Sequence, residues 1–141
     1  MSGKVFFDTN ILVYANDSSD PRKQSAARGI IKEKLASQSA VISVQVLSEF
    51  WVTVTQKIKK PLARVDAERQ IELFELMEIV DLTLPVFQNA LKLQKLHSFS
   101  FWDSLIISAA HSTGCGFIYS EDIQGGRKIF DMMIENPLTP V

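Results

Sequence analysis

The sequence predicts an α/β fold, a three-layer α/β/α sandwich on a four- or five-stranded, mainly parallel sheet. Three observations lead to this prediction. Short apolar runs typical of buried strands alternate with longer segments of helical periodicity. Strands separated by helices form parallel pairs joined by right-handed crossovers. No repeat, low-complexity tract or long linker divides the 141 residues, so residues 1–141 are expected to form a single domain.

The predicted strands are short, rich in β-branched or aromatic residues, and bounded by polar or turn-forming residues. The first covers residues 5–7 and stops abruptly at Asp8. Residues 40–43 and 78–82 are too short and too β-branched for helices. A fourth strand covers residues 117–120, and residues 138–141 are expected to add a short edge strand.

Three helices are predicted in the first half of the chain. A short one at about residues 11–15 follows the first strand. Asp20 as N-cap and Pro21 at the first helical position begin a helix that ends near residue 36. The third covers residues 44–58, where the apolar residues fall on one side of a helix.

Three further helices are predicted in the second half. One covers residues 63–77. Thr83 and Pro85 begin another, which ends near residue 96. The last covers residues 101–113 and is ended by Gly114 as the C′ residue.

Composition limits the possible functions. The net charge of −1 and pI near 6.1 do not indicate tight, non-specific nucleic-acid binding, so such a role would depend on a local basic patch and a metal ion. The one cysteine, Cys115, excludes an internal disulfide, and with His111 alone it does not make a zinc site. Neither a signal peptide nor a membrane span is evident, so we expect a cytoplasmic protein without membrane contact.

Four acids are candidate ligands of one metal ion: Asp8, Glu49, Asp103 and Asp122. Asp8 and Asp122 follow predicted strands, and open α/β sheets bind ligands outside the carboxyl ends of their strands. Glu49 and Asp103 lie in the first turn or two of predicted helices. Two carboxylates about 4 Å apart repel by about 4 kcal/mol at an effective dielectric of about 20, so several together need a cation. An all-oxygen site suits Mg²⁺ or Mn²⁺.

Each of these acids also has an explanation without catalysis. Asp8 could cap the short helix that follows it. Glu49 could belong to a solvated helix face, and Asp122 could be a turn residue. Ser100 and Asp103 form an S-x-x-D capping box at the start of an apolar helix. The sequence alone leaves these alternatives open for each acid taken singly.

Four motifs in order along the chain contain these acids: D-T-N-I-L-V-Y-A from Asp8, S-V-Q-V-L-S-E ending at Glu49, F-W-D-S-L-I around Asp103, and Y-S-E-D ending at Asp122. They resemble the successive motifs of the PIN-domain family. Within that family the chain is most similar to the small VapC-like toxin ribonucleases. The resemblance implies a Mg²⁺- or Mn²⁺-dependent ribonuclease, commonly dimeric, inhibited by an antitoxin protein encoded alongside.

The resemblance also implies roles for neighbouring residues. Thr9 and Ser120 match small hydroxyl residues that support the metal site. Asn10 matches a residue that orients the loop rather than binding metal. Either Glu121 or Asp122 could be the fourth acid, and we favour Asp122.

The predicted function is hydrolysis of RNA phosphodiester bonds by water that the metal ion activates, as the toxin of a type II toxin–antitoxin pair. The alternative is a PIN-domain protein without a toxin role, either a housekeeping nuclease or a non-catalytic protein/RNA-interaction module. An aspartyl-nucleophile phosphatase would need a second acid where Asn10 stands. A nucleotide-binding domain would need a glycine-rich loop after the first strand.

Two surface features complete the prediction. Basic residues that could contact RNA are Arg22, Lys23, Lys57, Lys59, Lys60 and Arg127. Apolar surface at Phe50, Trp51 and the helices beyond Pro61 suggests a homodimer.

Overall fold

The structure is a computed structural model and describes residues 3–123 and 125–140. The strands are β1 (Val5–Phe7), β2 (Ala40–Ser43), β3 (Glu78–Val80), β4 (Phe117–Tyr119), β5 (Arg127–Ile129) and β6 (Met132–Glu135). The helices are α1 (Thr9–Tyr14), α2 (Pro21–Ala36), α3 (Val44–Val52), α4 (Arg64–Phe74), α5 (Leu84–Leu96) and α6 (Phe101–Ser112). A π-helical segment, Thr53–Lys57, continues α3.

The strands form a single sheet in the order β3-β2-β1-β4-β6-β5. All neighbouring strands are parallel except β5 and β6, which are antiparallel. The predicted α/β fold with a mainly parallel sheet is confirmed. The sheet has six strands in the described part of the chain, so the prediction of four or five was too low.

The adjacent inner strands β1 and β2 are buried along their whole length. Phe6 pairs with Val41 of β2 on one side and with Ile118 of β4 on the other. A strand without an exposed face needs cover on both sides of the sheet, which explains why its sequence is continuously apolar rather than alternating. This places helices on both faces and strand ends at a shared edge.

The predicted edge strand at residues 138–141 was wrong for residues 138–140, which form a turn and a bend, and Val141 lies outside the described residues. Pro137 precedes this segment and Pro140 lies within it, and proline cannot donate to a strand ladder. The edge is formed instead by the β5–β6 hairpin, which the sequence analysis did not predict. Leu138 packs into the core.

Most predicted helix limits hold to within a few residues. The Asp20 side chain accepts a hydrogen bond from the Lys23 backbone at 3.1 Å, so the predicted N-cap of α2 is confirmed. Gly114 follows α6 with φ of +73°, in the left-handed region that favours glycine, as predicted for a C′ residue. The predicted helix 44–58 is instead divided, since the Ile58 N–H donates to the Thr53 carbonyl at 3.1 Å, a π-type bond.

Phe50 does not contribute to the apolar surface that the sequence analysis gave it. Its side chain is fully buried and makes an edge-to-face contact with Phe74, with ring centroids 5.0 Å apart. Phe50 therefore joins α3 to α4 within the core. No helix among the described residues combines the length and the apolar character that crossing a bilayer requires.

Candidate functional site

The site begins where β1 and β4 end side by side. Phe7 pairs with Tyr119, and the Asp8 N–H donates to the Tyr119 carbonyl at 2.9 Å, which extends the parallel ladder by one residue. Asp8 and Ser120 are thereby neighbours at the carboxyl edge. The Ser120 hydroxyl donates to Asp8 Oδ2 at 2.7 Å, and Asp8 is only 7% exposed.

Asp8 is also the N-cap of α1. Its Oδ1 accepts a hydrogen bond from the Thr9 N–H at 2.7 Å. Asp8 therefore does cap the short helix that follows it, as its explanation without catalysis proposed. This cap does not compete with a role in the site, because each carboxylate oxygen has a second lone pair.

Asn10 and Ser120 fix the loop that follows β4. The Asn10 amide donates to Asp8 Oδ2 at 3.3 Å and to Asp122 Oδ2 at 3.1 Å, while its Oδ1 accepts from the Glu121 N–H at 3.0 Å. The Ser120 hydroxyl oxygen accepts from the Asp122 N–H at 3.1 Å and from the Ile123 N–H at 3.0 Å. These contacts bring the Asp122 carboxylate toward Asp8 across two separate elements.

Glu49 reaches the same place from α3. That helix starts directly after β2, with Ser43 as its N-cap, so its first two turns lie at the carboxyl edge of the sheet. The Thr9 hydroxyl donates to Glu49 Oε1 at 2.8 Å. Thr9 therefore connects the start of α1 to the acid on α3.

Asp103 lies in the first turn of α6. The Ser100 hydroxyl caps this helix and accepts from the Asp103 N–H at 3.1 Å, so the capping explanation holds for Ser100. The pKa of Asp103 is raised, first by burial and also by the charge of Asp122, while the hydrogen bond with Ser100 opposes the rise. Asp103 and Asp122 line the same cavity.

A cavity of about 360 Å³ is lined by all four predicted acids, together with Thr9 and Asn10. Burial raises the pKa of Asp8 to about 6; the charges of Asp103 and Glu49 add to the rise, and hydrogen bonds from Ser120 and Thr9 oppose it. Acids that are up to more than a hundred residues apart in the sequence thus line the same cavity.

Glu121, the other candidate for the fourth acid, also lines the cavity but is engaged elsewhere. Lys23 lies 2.6 Å from its Oε2, and the Tyr14 hydroxyl donates to its Oε1 at 2.7 Å. Burial pushes the pKa of Glu121 upward, but the contacts with Lys23 and Tyr14 outweigh it and the pKa is lowered. Asp122, in contrast, contacts Asn10 and interacts with Asp103.

Three of the basic residues that were predicted to contact RNA have partners within the protein. Lys23 is paired with Glu121, Arg22 donates to the Leu138 carbonyl at 2.9 Å, and Arg127 lies over the Phe99 ring at 4.6 Å. The side chains of Lys57, Lys59 and Lys60 are exposed. Lys57 ends the π-helical segment, whose first residue, Thr53, lines the cavity, and Lys59 and Lys60 follow it in the chain.

The donor set suits a hard divalent cation, because every acid at the cavity offers carboxylate oxygens. The carboxylates are not gathered into a closed coordination sphere, however. Within residues 3–123 and 125–140, no group of three or more Asp, Glu, His or Cys side chains is placed so that it could hold a metal ion. Glu49 is turned toward Thr9 and Asp8 toward Ser120 instead.

Gln45 and Trp102 also line the cavity, although neither was predicted to be a site residue. Gln45 stands two residues after β2, at the start of the helix that carries Glu49. The sequence did contain a signal for Gln45, because it is a long polar residue in an otherwise apolar first turn that directly follows a buried strand. Trp102 precedes Asp103, and its exposure could not be read from the sequence.

Comparison with known proteins decides the family. The sequence pattern described as PIN domain matches residues 5–128. The chain belongs to the PIN-domain family. This confirms the resemblance found in the four motifs, whereas curated protein sequences give no match.

Solved structures with the same fold include several from toxin–antitoxin systems. The Mycobacterium tuberculosis toxin VapC20, described as cleaving the sarcin–ricin loop, is 20% identical with a TM-score of 0.65, covering 84% of this chain and 90% of that chain. A toxin–antitoxin complex from Klebsiella pneumoniae gives 16% and 0.68, covering 95% and 98%. VapBC2 from Rickettsia felis, bound to promoter DNA, gives 22% and 0.67, covering 94% and 97%. At these identities the likeness establishes the PIN fold.

Proposed function

We propose that this PIN-domain protein is a metal-dependent endoribonuclease and the toxin of a type II toxin–antitoxin pair. The observation that carries the proposal is the cavity shared by Asp8, Glu49, Asp103 and Asp122 at the carboxyl edge of the sheet. The fold shared with VapC20, described as a toxin that cleaves the sarcin–ricin loop, supports RNA as the substrate. The structures of toxin–antitoxin complexes with this fold support an antitoxin partner.

Mg²⁺ or Mn²⁺ would be held by Asp8, Asp103, Glu49 and Asp122. When bound, such an ion activates a water molecule for attack on phosphorus and neutralises charge developing on the phosphate oxygens. The remaining residues hold these acids in place. Thr9 orients Glu49, Asn10 orients Asp122, and Ser120 orients Asp8.

The electrostatics of the cavity favour this arrangement. Without a cation, burial and the neighbouring acids keep the pKa of Asp8 near 6, so clustering the acids has an electrostatic cost. A bound divalent ion reverses the balance because it favours the ionised form of every carboxylate around it. We therefore expect cleavage to require Asp8 in its ionised form.

The test is cleavage of labelled RNA with Mg²⁺ or Mn²⁺, with and without chelator. We expect Asp103→Asn to lower the cleavage rate by about a hundredfold or more, since even outer-shell partners of metal ligands contribute about 10–100-fold. Ser100→Ala is the matched control: it removes the N-cap of the same helix at a cost of about 1 kcal/mol in stability but keeps the carboxylate. Unchanged cleavage by folded Asp103→Asn would leave only the capping role.

The alternative is a PIN-domain protein without a toxin role, acting as a housekeeping nuclease or as a non-catalytic interaction module. A metal-dependent cleavage activity excludes the module. Growth arrest on expression of this chain, relieved by the product of a neighbouring gene, distinguishes the toxin from the housekeeping nuclease. We place the protein in the cytoplasm, where its RNA substrate and a reduced Cys115 are both expected.

We also propose a homodimer, on one of the helices beyond Pro61 whose apolar surface suggested it. Phe50 is buried, but α5 carries exposed apolar side chains at Leu84, Phe87 and Leu91. Their spacing of three and four residues places them on one side of the helix. Such a stripe is suited to a two-fold interface, in which the same surface of each copy faces the other.

A further inference from the structure

A second cavity, of about 470 Å³, adjoins the acidic one. The two cavities share four wall residues, which are Gln45, Glu49, Thr53 and Trp102. Beyond these the second cavity is lined by Ser48, Val52, Lys57 and Leu82 and is largely apolar. Its volume lies in the range of small-molecule sites, roughly 300–1,000 Å³. We call it the Trp102 groove.

Trp102 stands on the wall between the cavities with 61% of its surface exposed. Its ring makes an edge contact with Phe101, at 5.3 Å between centroids, and this leaves much of the indole accessible. An exposed indole next to a polar cavity is a surface on which an unpaired base can stack, and such stacking tolerates any base.

Gln45 adds a polar group to the same wall. It is 6% exposed, and its Nε2 donates to the Trp102 carbonyl at 3.3 Å. Its Oε1 is buried and has no hydrogen-bond partner among the described residues. The opposite amide orientation would turn an oxygen toward the Trp102 carbonyl oxygen, so the assigned orientation stands. A buried acceptor without a donor is unfavourable, so Gln45 is held beside Trp102 at a cost in free energy.

Lys57 also lines the groove. Lys59 and Lys60 follow it, and all three side chains are exposed. The molecule as a whole has a net charge of −1, so this short basic run is a local feature. Cations beside an aromatic platform are the combination that binds single-stranded nucleic acid, with the lysines contacting phosphates.

We propose that the Trp102 groove is a subsite for an unpaired nucleobase of the RNA, next to the phosphate that enters the acidic cavity. The base stacks on Trp102 against Val52 and Leu82, and Lys57 contacts an adjacent phosphate. The proposal rests on the proposed ribonuclease function and adds the contact that holds the base beside the cleaved bond. A protein segment could also cover apolar residues, but the Lys57 cation and the exposed Trp102 indole favour a nucleotide.

The experiment compares two RNA oligonucleotides of equal length, one normal and one abasic at the residue flanking the cleaved bond. The variants are Trp102→Ala, Trp102→Phe, which keeps an aromatic face, and Leu76→Ala as a control. Leu76 is exposed and lies near Ala40 and Glu78, at the opposite edge of the sheet. Both kcat/KM for cleavage and affinity without divalent ions are measured.

We expect Trp102→Ala to lose about tenfold in affinity and kcat/KM for the normal oligonucleotide, within the range that base stacking supplies. Trp102→Phe and Leu76→Ala should stay within about threefold of the wild type, and all four proteins should treat the abasic oligonucleotide alike. Equal losses by Trp102→Ala on both oligonucleotides, or no loss, would overturn the subsite. So would unchanged RNA cleavage together with altered self-association, which would assign the groove to a protein.

The outcome also separates this proposal from the one on which it rests. If the wild type cleaves RNA but Trp102→Ala behaves like it, only the subsite is wrong. If the wild type neither binds nor cleaves RNA with Mg²⁺ or Mn²⁺, the ribonuclease proposal fails and the subsite fails with it.

Discussion

Asp8 illustrates how one carboxylate serves the fold and the site together. It ends β1, caps α1 through Oδ1, and accepts from Ser120 and Asn10 through Oδ2. Three donors would normally stabilise the ionised form, yet the pKa is raised to about 6, because burial outweighs them. The protein keeps at this position a charge that folding alone does not favour.

This imbalance predicts a pH dependence of stability in the absence of divalent ions. The folded pKa of Asp8, about 6, lies above the ordinary value of 3.8, so the folded state binds this proton more tightly. The stabilisation is complete below pH 4 and is lost as the pH rises through about 6, amounting to about 3 kcal/mol. Denaturant unfolding in chelator, compared with Asp8→Asn, isolates this contribution; a wild-type stability that rises relative to the variant over this range would contradict it.

A second prediction at the scale of one residue concerns the effect of Ser120 on stability and on the pKa of Asp8. Its hydroxyl donates to Asp8 and accepts from the Asp122 and Ile123 N–H groups. Ser120→Ala should cost about 1–3 kcal/mol in stability and raise the pKa of Asp8 further, so the acid limb of the cleavage–pH profile moves to higher pH. Ser108→Ala is the control, because Ser108 is also buried and bonded, to the Val86 carbonyl at 2.8 Å. A limb that moves equally in both variants would refute this role.

At the scale of elements, the loop after β4 is held to two helices. Glu121 accepts from Tyr14 of α1 and pairs with Lys23 of α2, while the next residue, Asp122, faces the cavity. The ion pair is partly shielded from solvent, with both side chains 23% exposed. Its structural effect is to hold the Glu121 carboxylate on Lys23, while the carboxylate of the neighbouring Asp122 contacts Asn10.

Breaking this pair should therefore affect activity more than stability. We expect Lys23→Met to cost about 1 kcal/mol in stability, because the pair is still reached by solvent, and to lower cleavage several-fold because the loop loses its anchor. Glu68→Gln, which breaks the exposed Arg64 pair on α4, should leave cleavage unchanged. Thermal unfolding and kcat/KM measured together check this. Cleavage at the wild-type rate by Lys23→Met would mean that the loop does not need the anchor.

Elements with strong local signals were predictable, and those set by tertiary contacts were not. Asp20 and Pro21 begin α2 as expected because capping is a local hydrogen bond. The β5–β6 hairpin was not predicted, because Arg127 and Lys128 interrupt the apolar pattern of β5. The hairpin is held in the sheet by a tertiary contact, the pairing of β6 with β4. The π turn at Thr53–Lys57 has the same apolar spacing as an α-helix, so periodicity cannot distinguish them.

At the scale of the whole molecule, the topology of a parallel sheet brings together acids that are far apart in the sequence. Residues after β1 and β4 must share one edge, so Asp8 and Asp122 could be placed together from the sequence. The engagement of Glu121 by Lys23 could not, because it depends on where α2 crosses the sheet. The unsatisfied amide of Gln45 was equally out of reach, since no local pattern records a missing partner.

The exposed stripe on α5 predicts the assembly state. Leu91→Glu places a charge among Leu84 and Phe87 and should convert a dimer to a monomer, since burying an unpaired charge is strongly unfavourable. Light scattering over a range of concentrations measures this, with Leu76→Glu as an exposed apolar position off the stripe. A wild type that stays monomeric at high concentration removes the idea.

Binding of Mn²⁺, followed by calorimetry or electron paramagnetic resonance, tests most directly whether the separated carboxylates act as a single cation site. We predict that the wild type binds the ion and that Asp103→Asn and Glu49→Gln each weaken binding by about tenfold or more. Glu121→Gln, which alters an acid of the same cavity that is paired with Lys23, should bind within about threefold of the wild type. Equal binding by the wild type and Asp103→Asn, or no binding at all, would contradict the account.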